Sequence, residues 1–308
     1  MNMIETVGLG KYYGEVRAVE DLSLNVAEGE IYAFLGLNGA GKTTTIRMLL
    51  GMIKPTKGYA TVIQTRVQLG SNQPWKDVGY LVETPHAYPE LTVVENLEAA
   101  CYLHPGTPRS AVSEIIERLG LAEYANRRAG NLSLGNIQRL GLAKALIHKP
   151  RLLFLDEPAN GLDPSGIVEI RELLLQMTHE EGVTVFMSSH ILAEVSRLAQ
   201  RIGIIHNGRL LQELTRDELE QNRQRRLMVQ TRDNHRAMQV LRSVGNIESV
   251  PLNGSILMND KLSIDQPDRV NEILVKAGFP PTRLYVEEEE LEDYFLRLVG
   301  IGEGINNE

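Results

Sequence analysis

The sequence has little that would suit an oxidising compartment or the interior of a bilayer. It contains 1 cysteine, Cys101, so it can form no internal disulfide, and stable disulfides belong mainly to oxidising compartments. No apolar run reaches the roughly 18 residues that suggest a membrane-spanning helix, and the first residues lack the basic and apolar regions of an export signal. We therefore expect a cytoplasmic protein in which Cys101 is a small buried side chain.

Positive charge is also scarce. The 308 residues include 40 acidic and 32 basic side chains, which gives a formal net charge of −8. Because nucleic-acid binding relies on basic surface, we expect no nucleic-acid partner. Aromatic residues make up only 5% of the chain, but 43% of it is hydrophobic, which is enough for one large domain and a smaller one.

A glycine-rich segment stands out, with the sequence Gly-Leu-Asn-Gly-Ala-Gly-Lys-Thr at residues 36–43. It matches the phosphate-binding pattern G-x-x-x-x-G-K-[ST] at every fixed position, and it lies between an apolar run and a helix-like stretch. Backbone N–H groups of such a loop converge on phosphates, and the helix N-terminus adds partial positive charge. We predict that Lys42 reaches the β- and γ-phosphates and that Thr43 binds Mg²⁺. The residues assigned to the nucleotide here are Gly36, Asn38, Gly39, Ala40, Gly41, Lys42, Thr43 and Thr44, the last of which fits a plain helix N-terminal role equally well.

Two later apolar segments predict the rest of this site. Residues 152–155 indicate a buried strand that ends in Asp156 and Glu157, and residues 183–187 indicate a second strand just before His190. In parallel sheets, ligands bind at the carboxyl edge of the strands. We predict that Asp156 holds Mg²⁺, that Glu157 polarises the attacking water and that His190 bonds the γ-phosphate. For His190, a helix cap or a core position is the alternative.

A second anion-binding surface is predicted at Ser133 and Gly135. The segment Leu-Ser-Leu-Gly-Asn at residues 132–136 leads into a helical pattern, for which Ser133 is a suitable N-cap. A serine, a glycine and a helix N-terminus together can bind phosphate. From spacing alone, the simple N-cap is the favoured interpretation.

Taken together, these motifs resemble the ATP-binding cassette (ABC) ATPase family over roughly residues 3–215. The resemblance implies an α/β P-loop cassette with a mixed core sheet, an antiparallel β subdomain and a helical subdomain, which hydrolyses ATP with Mg²⁺. The family's phosphate loop, signature, carboxylate motif, aspartate loop and switch histidine match, in that order, residues 36–43, 132–136, 152–157, 160–163 and 190.

The resemblance also implies a catalytic pair of cassettes. Ser133 and Gly135 of one copy would contact the γ-phosphate held by the other, and Tyr13 would stack on adenine, with Tyr12 as the alternative. The sequence departs from the family at Glu83, where glutamine is usual, and we expect this carboxylate to approach Mg²⁺ or water. It also has Leu134 and Asn136 where the signature usually has glycine and glutamine, which would place a bulky Leu134 near the interface.

Within the family, the chain resembles bacterial exporters whose ATPase is separate from the membrane subunit, in particular the bacitracin and lantibiotic self-protection ATPases. This implies a protein that is peripheral on the inner face of the membrane through a permease. Residues 84–97 would face that permease; we expect Pro85 and Pro89 to keep them non-helical, and Tyr88 either docks the partner or packs internally. The alternatives are a soluble ABC ATPase that acts mechanically, and a module that holds ATP without hydrolysis, which conflicts with Glu157 and His190.

The pattern along the chain predicts three parts. They are an ATPase domain over residues 1–216, a linker helix over 217–226 and an accessory domain over 227–308. In the first, residues 1–30 and 57–80 indicate an antiparallel β layer, and residues 88–150 are helical in pattern. The tail reads β-α-β-β-α-β with a turn at Asn253 and Gly254, which predicts a small ferredoxin-like α+β module.

Overall fold

The computed structural model describes residues 1–70, 74–245, 247–252 and 254–300. Contacts divide the chain into two units, Met1–Asp217 and Glu218–Glu308. Asn253 of the predicted turn and residues 301–308 of the predicted accessory domain lie outside the described residues.

The first unit contains an antiparallel sheet. Its strands are β1 (Asn2–Tyr13), β2 (Val16–Leu22), β3 (Asn25–Ala27), β5 (Lys57–Val62) and β6 (Thr65–Arg66). Their order is β2-β1-β5-β6, and β3 pairs with β1. Ile4, Leu9 and Leu22 are fully buried, as expected when one face of an antiparallel sheet packs on a core. The antiparallel layer predicted from the sequence is therefore confirmed for these strands.

A second, mostly parallel sheet forms the centre of the same unit. Its strands are β4 (Ile31–Leu35), β7 (Val78–Leu81), β8 (Leu152–Asp156), β9 (Thr184–Ser189), β10 (Arg201–His206) and β11 (Arg209–Thr215). The order is β11-β10-β4-β9-β8-β7, with only the pairing of β10 and β11 antiparallel. Every residue of β4, β8 and β9 is buried, as is typical of strands covered on both faces. Residues 78–80 were predicted in the antiparallel layer; this was wrong, because they pair in parallel with β8.

The helices of this unit fall mainly where the sequence predicts them. They are α1 (Lys42–Leu49), α2 (Val93–Leu103), α3 (Ser110–Arg118), α4 (Leu134–Leu146), α5 (Pro164–Glu181) and α6 (Leu192–Leu198), and α7 (Arg216–Asn222) follows β11. Residues 93–97 were expected to be non-helical, but Thr92 starts α2 there with a capping box to Glu95. No helix in the described part of the chain combines the length and apolar character needed to cross a bilayer.

The second unit is a small α+β module. Its elements are β12 (Arg225–Gln230), α8 (Asn234–Gly245), β13 (Val250–Leu252), β14 (Ser255–Met258), α9 (Lys261–Asp265), α10 (Pro267–Lys276), β15 (Arg283–Glu288) and α11 (Leu291–Leu298). The antiparallel sheet has the order β13-β14-β12-β15, and its core includes Leu227, Leu241 and Leu274. Assignment to the ferredoxin-like class stays a prediction. The predicted linker at 217–226 is not a single helix, since it includes most of α7 and the first residues of β12.

Candidate functional site

The glycine-rich loop at residues 36–43 joins β4 to α1. Helix α1 begins at Lys42 after Gly41, which has a left-handed backbone (φ 110°), and no side chain caps this helix. Its first N–H groups are therefore available to an anion rather than to a capping oxygen. Thr44 lies in the first turn of the same helix.

Glycine is sterically required at two positions of this loop. A Cβ at Gly36 would lie 2.6 Å from the carbonyl oxygen of Ile205, and a Cβ at Gly41 would lie 2.4 Å from that of Ala18. Both distances are impossible for a real side chain, and the left-handed φ of Gly41 adds strain for any other residue. Between them, Asn38 and Gly39 are exposed and Ala40 is buried.

Lys42 is buried at the base of the loop, with 6% of its side chain exposed. Its Nζ atom donates to the carbonyl oxygens of Gly36 at 2.6 Å and Leu37 at 3.3 Å, and it lies 3.1 Å from Oε1 of Glu157. A buried ammonium needs such partners to offset its desolvation. The ammonium is therefore held by the loop backbone and by Glu157, the catalytic carboxylate that the sequence predicts.

The two predicted acids lie at the end of β8, beside the loop. Asp156 is 3% exposed; its Oδ2 accepts a hydrogen bond from Thr43 Oγ1 at 2.8 Å, and its Oδ1 accepts one from Ser188 Oγ at 2.5 Å. Glu157 follows with a left-handed backbone (φ 52°), and its Oε2 lies 2.7 Å from His190 Nδ1. The structure thus joins Lys42, Glu157 and His190 in one chain of contacts.

This arrangement fits a nucleotide with a divalent cation. Thr43 and Asp156 present a hydroxyl and a carboxylate oxygen at the same point, and hard cations such as Mg²⁺ prefer oxygen donors. Lys42 and the helix N-terminus supply the positive charge for phosphates. Glu157 and His190 form a carboxylate–imidazole pair beside these groups, and both side chains are of types that accept protons in catalysis.

The predicted second phosphate surface lies at the start of α4. Ser133 caps this helix and accepts a hydrogen bond from the Asn136 N–H at 3.3 Å. Leu134 packs over Gly161, where a Cβ would lie only 2.5 Å from Leu134 Cδ2, yet it stays 60% exposed. No hydrogen bond within the described residues joins Ser133 or Gly135 to the phosphate loop of the same chain.

Glu83 does not join the cluster around Asp156. Its backbone is left-handed (φ 59°), and its half-exposed carboxylate lies 2.5 Å from an Arg47 guanidinium nitrogen. Among the described hydrogen bonds and ion pairs, none connects Glu83 with Thr43 or Asp156. The ion pair places its charge beside a cation on α1.

The two candidate adenine-stacking rings differ in their surroundings. Tyr13 is 51% exposed, with the Lys11 ammonium 5.0 Å from its ring centroid. The ring of Tyr12 has two cations near it, Arg17 at 5.9 Å and Lys57 at 5.5 Å. Tyr13 therefore has more free surface for a base.

Sequence reasoning missed three residues around this site, namely Ser188, Arg47 and Glu194. Ser188 bridges the two acids, and Arg47 pairs with Glu83. Burial raises the pKa of Glu194. The electrostatic effect of nearby His190 opposes this rise, and the negative charge of Glu157 adds to it. Ser188 and Glu194 lie just before and just after His190 in the sequence, and this closeness is the signal that could have identified them.

The chain is similar to known ATP-binding proteins of transporters. The family model described as "ABC transporter" matches residues 19–160. The bacitracin transport ATP-binding protein BcrA of Bacillus licheniformis is 39% identical over 300 residues, covering 97% of this chain and 98% of BcrA. The lantibiotic transport ATP-binding protein SrtF of Streptococcus pyogenes is 36% identical over 211 residues, covering 68% of this chain and 90% of SrtF.

A solved structure extends the comparison to the fold. The ATP-binding cassette MJ0796, in a dimeric post-hydrolysis state bound to ADP and Pi, is 25% identical with a TM-score of 0.64. The match covers 69% of this chain and 98% of that cassette.

Proposed function

The chain belongs to the ABC transporter ATP-binding proteins and is an ATPase, and from this we propose that closure of two ATP-loaded copies drives export through a separate membrane subunit. The observation that carries the proposal is the contact chain from Lys42 through Glu157 to His190, beside the Thr43–Asp156 hydrogen bond. We assign hydrolysis to residues 1–216 and an accessory role to residues 227–308, joined by residues 217–226.

The residues divide the work of hydrolysis as follows. When ATP enters, Lys42 exchanges its contact with Glu157 for the β- and γ-phosphates, because both compete for the same ammonium. Glu157 is then free to accept the proton of the attacking water, and His190, which contacts this carboxylate through Nδ1, bonds the γ-phosphate. Thr43 and Asp156 would hold Mg²⁺, which neutralises charge on the phosphates.

We propose that the γ-phosphate contacts Ser133 and Gly135 of a second copy. Within one chain these residues contact their own helix and the 160–163 loop rather than the phosphate loop, so they are available to a partner. The dimeric ADP-bound cassette MJ0796 supports a symmetric pair. Each closed pair then holds two nucleotides between its copies.

Two further nucleotide contacts are proposed. Tyr13 stacks on the adenine through its exposed ring. Glu83 approaches Mg²⁺ or the attacking water once it leaves Arg47, so the ion pair describes its position before that movement.

The export partner is proposed to be a permease that keeps this chain on the inner face of the cell membrane. BcrA is named for bacitracin transport and SrtF for lantibiotic transport, which supports a toxic peptide as cargo. Tyr88, in the segment expected to face the permease, is 60% exposed. Tyr102 and Leu103, at the end of the helix α2 that begins in this segment, are 79% and 78% exposed. Such exposed apolar side chains suit a protein contact.

The test uses the chain together with the separate membrane subunit that the proposal requires. We expect the pair, expressed in a sensitive bacterium, to raise the inhibitory concentration of bacitracin or a lantibiotic, and Glu157→Gln to abolish this protection. Equal protection by wild type and Glu157→Gln would refute ATP-driven export. Hydrolysis by the purified chain without any protection would leave the ATPase assignment intact and contradict this class of cargo.

A further inference from the structure

Ser188, near the end of β9, touches both acids of the hydrolytic site. Its Oγ donates to Asp156 Oδ1 at 2.5 Å and accepts from the backbone N–H of Glu157 at 3.0 Å. The residue is 0% exposed, and it lies directly opposite Asp156 in the parallel pairing of β8 and β9. One hydroxyl on the neighbouring strand therefore contacts both members of the acidic pair.

This hydroxyl fixes the direction of both acids. A serine hydroxyl has one hydrogen to donate, which here goes to Asp156, so the N–H of Glu157 must meet a lone pair. Asp156 receives its other hydrogen bond from Thr43, so both of its carboxylate oxygens have a hydroxyl donor. The carboxylate cannot rotate without losing one of these bonds.

The same bond supports an unfavourable backbone at Glu157. This residue has a φ of 52°, which is uncommon for a side-chain-bearing residue and needs support from its surroundings. The bond from its N–H to Ser188 is such a support, and it directs the carboxylate towards Lys42 and His190.

We propose that Ser188 is a positioning residue that orients Asp156 towards the metal and Glu157 towards the attacking water. The inference rests on the proposed function, because it assigns Ser188 a role within that site. Hydrogen-bond partners behind metal ligands typically change metal affinity or activity by about 10–100-fold when they are removed.

Three variants of the full chain test this role. Ser188→Ala removes the hydroxyl, and Ser188→Thr keeps it on a residue that is favoured in strands. Ser196→Ala is the matched control, since Ser196 is also buried but its hydroxyl bonds only its own helix at Ala193 O. Mn²⁺ is titrated against each protein with a non-hydrolysable ATP analogue and followed by electron paramagnetic resonance. Affinity for ATP without metal, thermal midpoints and kcat are measured alongside.

For Ser188→Ala we expect Mn²⁺ affinity and kcat to fall by about ten-fold or more, with metal-free ATP affinity and thermal midpoint kept. Ser188→Thr should recover most of the loss, and Ser196→Ala should match wild type. The proposal is overturned if Ser188→Ala binds Mn²⁺ and hydrolyses ATP normally, or if its affinity for metal-free ATP falls as much as its affinity for Mn²⁺. It is also overturned if Ser188→Thr is as impaired as Ser188→Ala. If wild type binds Mn²⁺ with nucleotide but never hydrolyses ATP, the proposed function fails, and the Mn²⁺ comparison still decides the role of Ser188.

Discussion

Glu157→Gln should bind ATP more tightly than wild type, in addition to losing hydrolysis. In the structure, Glu157 Oε1 lies 3.1 Å from Lys42 Nζ, and the two side chains are only 18% and 6% exposed. Solvent therefore screens this contact weakly. ATP must take the ammonium away from Glu157 and place a γ-phosphate near the same carboxylate. Both steps are easier when a neutral amide replaces the carboxylate.

The size of the effect follows from the charge that is removed. Glutamine can still accept a hydrogen bond from the ammonium, so the substitution removes only the charge–charge attraction, which is about 1 kcal/mol for a pair that solvent screens weakly. Since 1.4 kcal/mol is a factor of ten, we expect metal-free ATP to bind about five-fold more tightly.

The measurement is a titration of fluorescent ATP in EDTA, at protein concentrations where the chain is monomeric, so that neither hydrolysis nor pairing contributes. His190→Ala is one control, because it removes the other partner of Glu157 and leaves the Lys42 contact. Glu169→Gln is a second, since it neutralises a carboxylate paired with Arg139 on the surface. If Glu157→Gln binds metal-free ATP with unchanged or lower affinity, the competition between Glu157 and phosphate is refuted.

Other predictions concern charge at the site and stability elsewhere. Lys42→Ala should lower kcat by about 10²–10³ in a phosphate-release assay, because the cation facing the transferred phosphate is lost; unchanged turnover would refute the assignment. Glu289→Gln should lower the free energy of unfolding of the second unit by about 2 kcal/mol in urea, less than for a fully buried pair because Arg297 is 39% exposed. Burial raises the pKa of Glu289, but hydrogen bonds from Arg297 and Gln224 outweigh burial and hold the pKa below 4.5. The stability that this carboxylate contributes is therefore present above pH 4.5 and is lost as acid protonates the folded carboxyl. A difference between variant and wild type that does not change with pH would contradict this. Burial lowers the pKa of His148 from 6.5 to about 4, so on acidification the unfolded chain binds the proton before the folded chain does. The thermal midpoint should therefore decrease as the pH is lowered from 6.5 to about 4, and it should decrease less steeply in His148→Phe; equal slopes would contradict the assignment.

The sequence predicted the chemical groups of the site because they follow local patterns. The phosphate loop, the acids after an apolar run and the histidine after the next one are each readable within a few residues. Parallel strands then bring these groups to one sheet edge without further information. The structure places Lys42, Thr43, Asp156, Glu157 and His190 together for this reason.

What the sequence could not predict depends on register and on contacts between distant segments. Ser188 meets Asp156 only because β8 and β9 pair with these residues opposite each other. The pairing of Glu83 with Arg47 and the packing of Leu134 on Gly161 each join separate parts of the chain. Residues 78–81 resemble an edge strand of either sheet, so the partner strand, rather than local propensity, decided their place.

The central claim is that one ATP lies between the phosphate loop of one copy and Ser133 of another. It is tested by size-exclusion chromatography with light scattering on Glu157→Gln carrying either Ser133→Asp or Ser133→Asn, with and without ATP. Both replacements can still cap α4, but only aspartate places a negative charge against the γ-phosphate. We predict that Glu157→Gln and its Ser133→Asn form become dimers with ATP, while the Ser133→Asp form stays monomeric. A molar mass that does not change with ATP, or equal dimerisation of the Ser133→Asp form, would contradict the shared site.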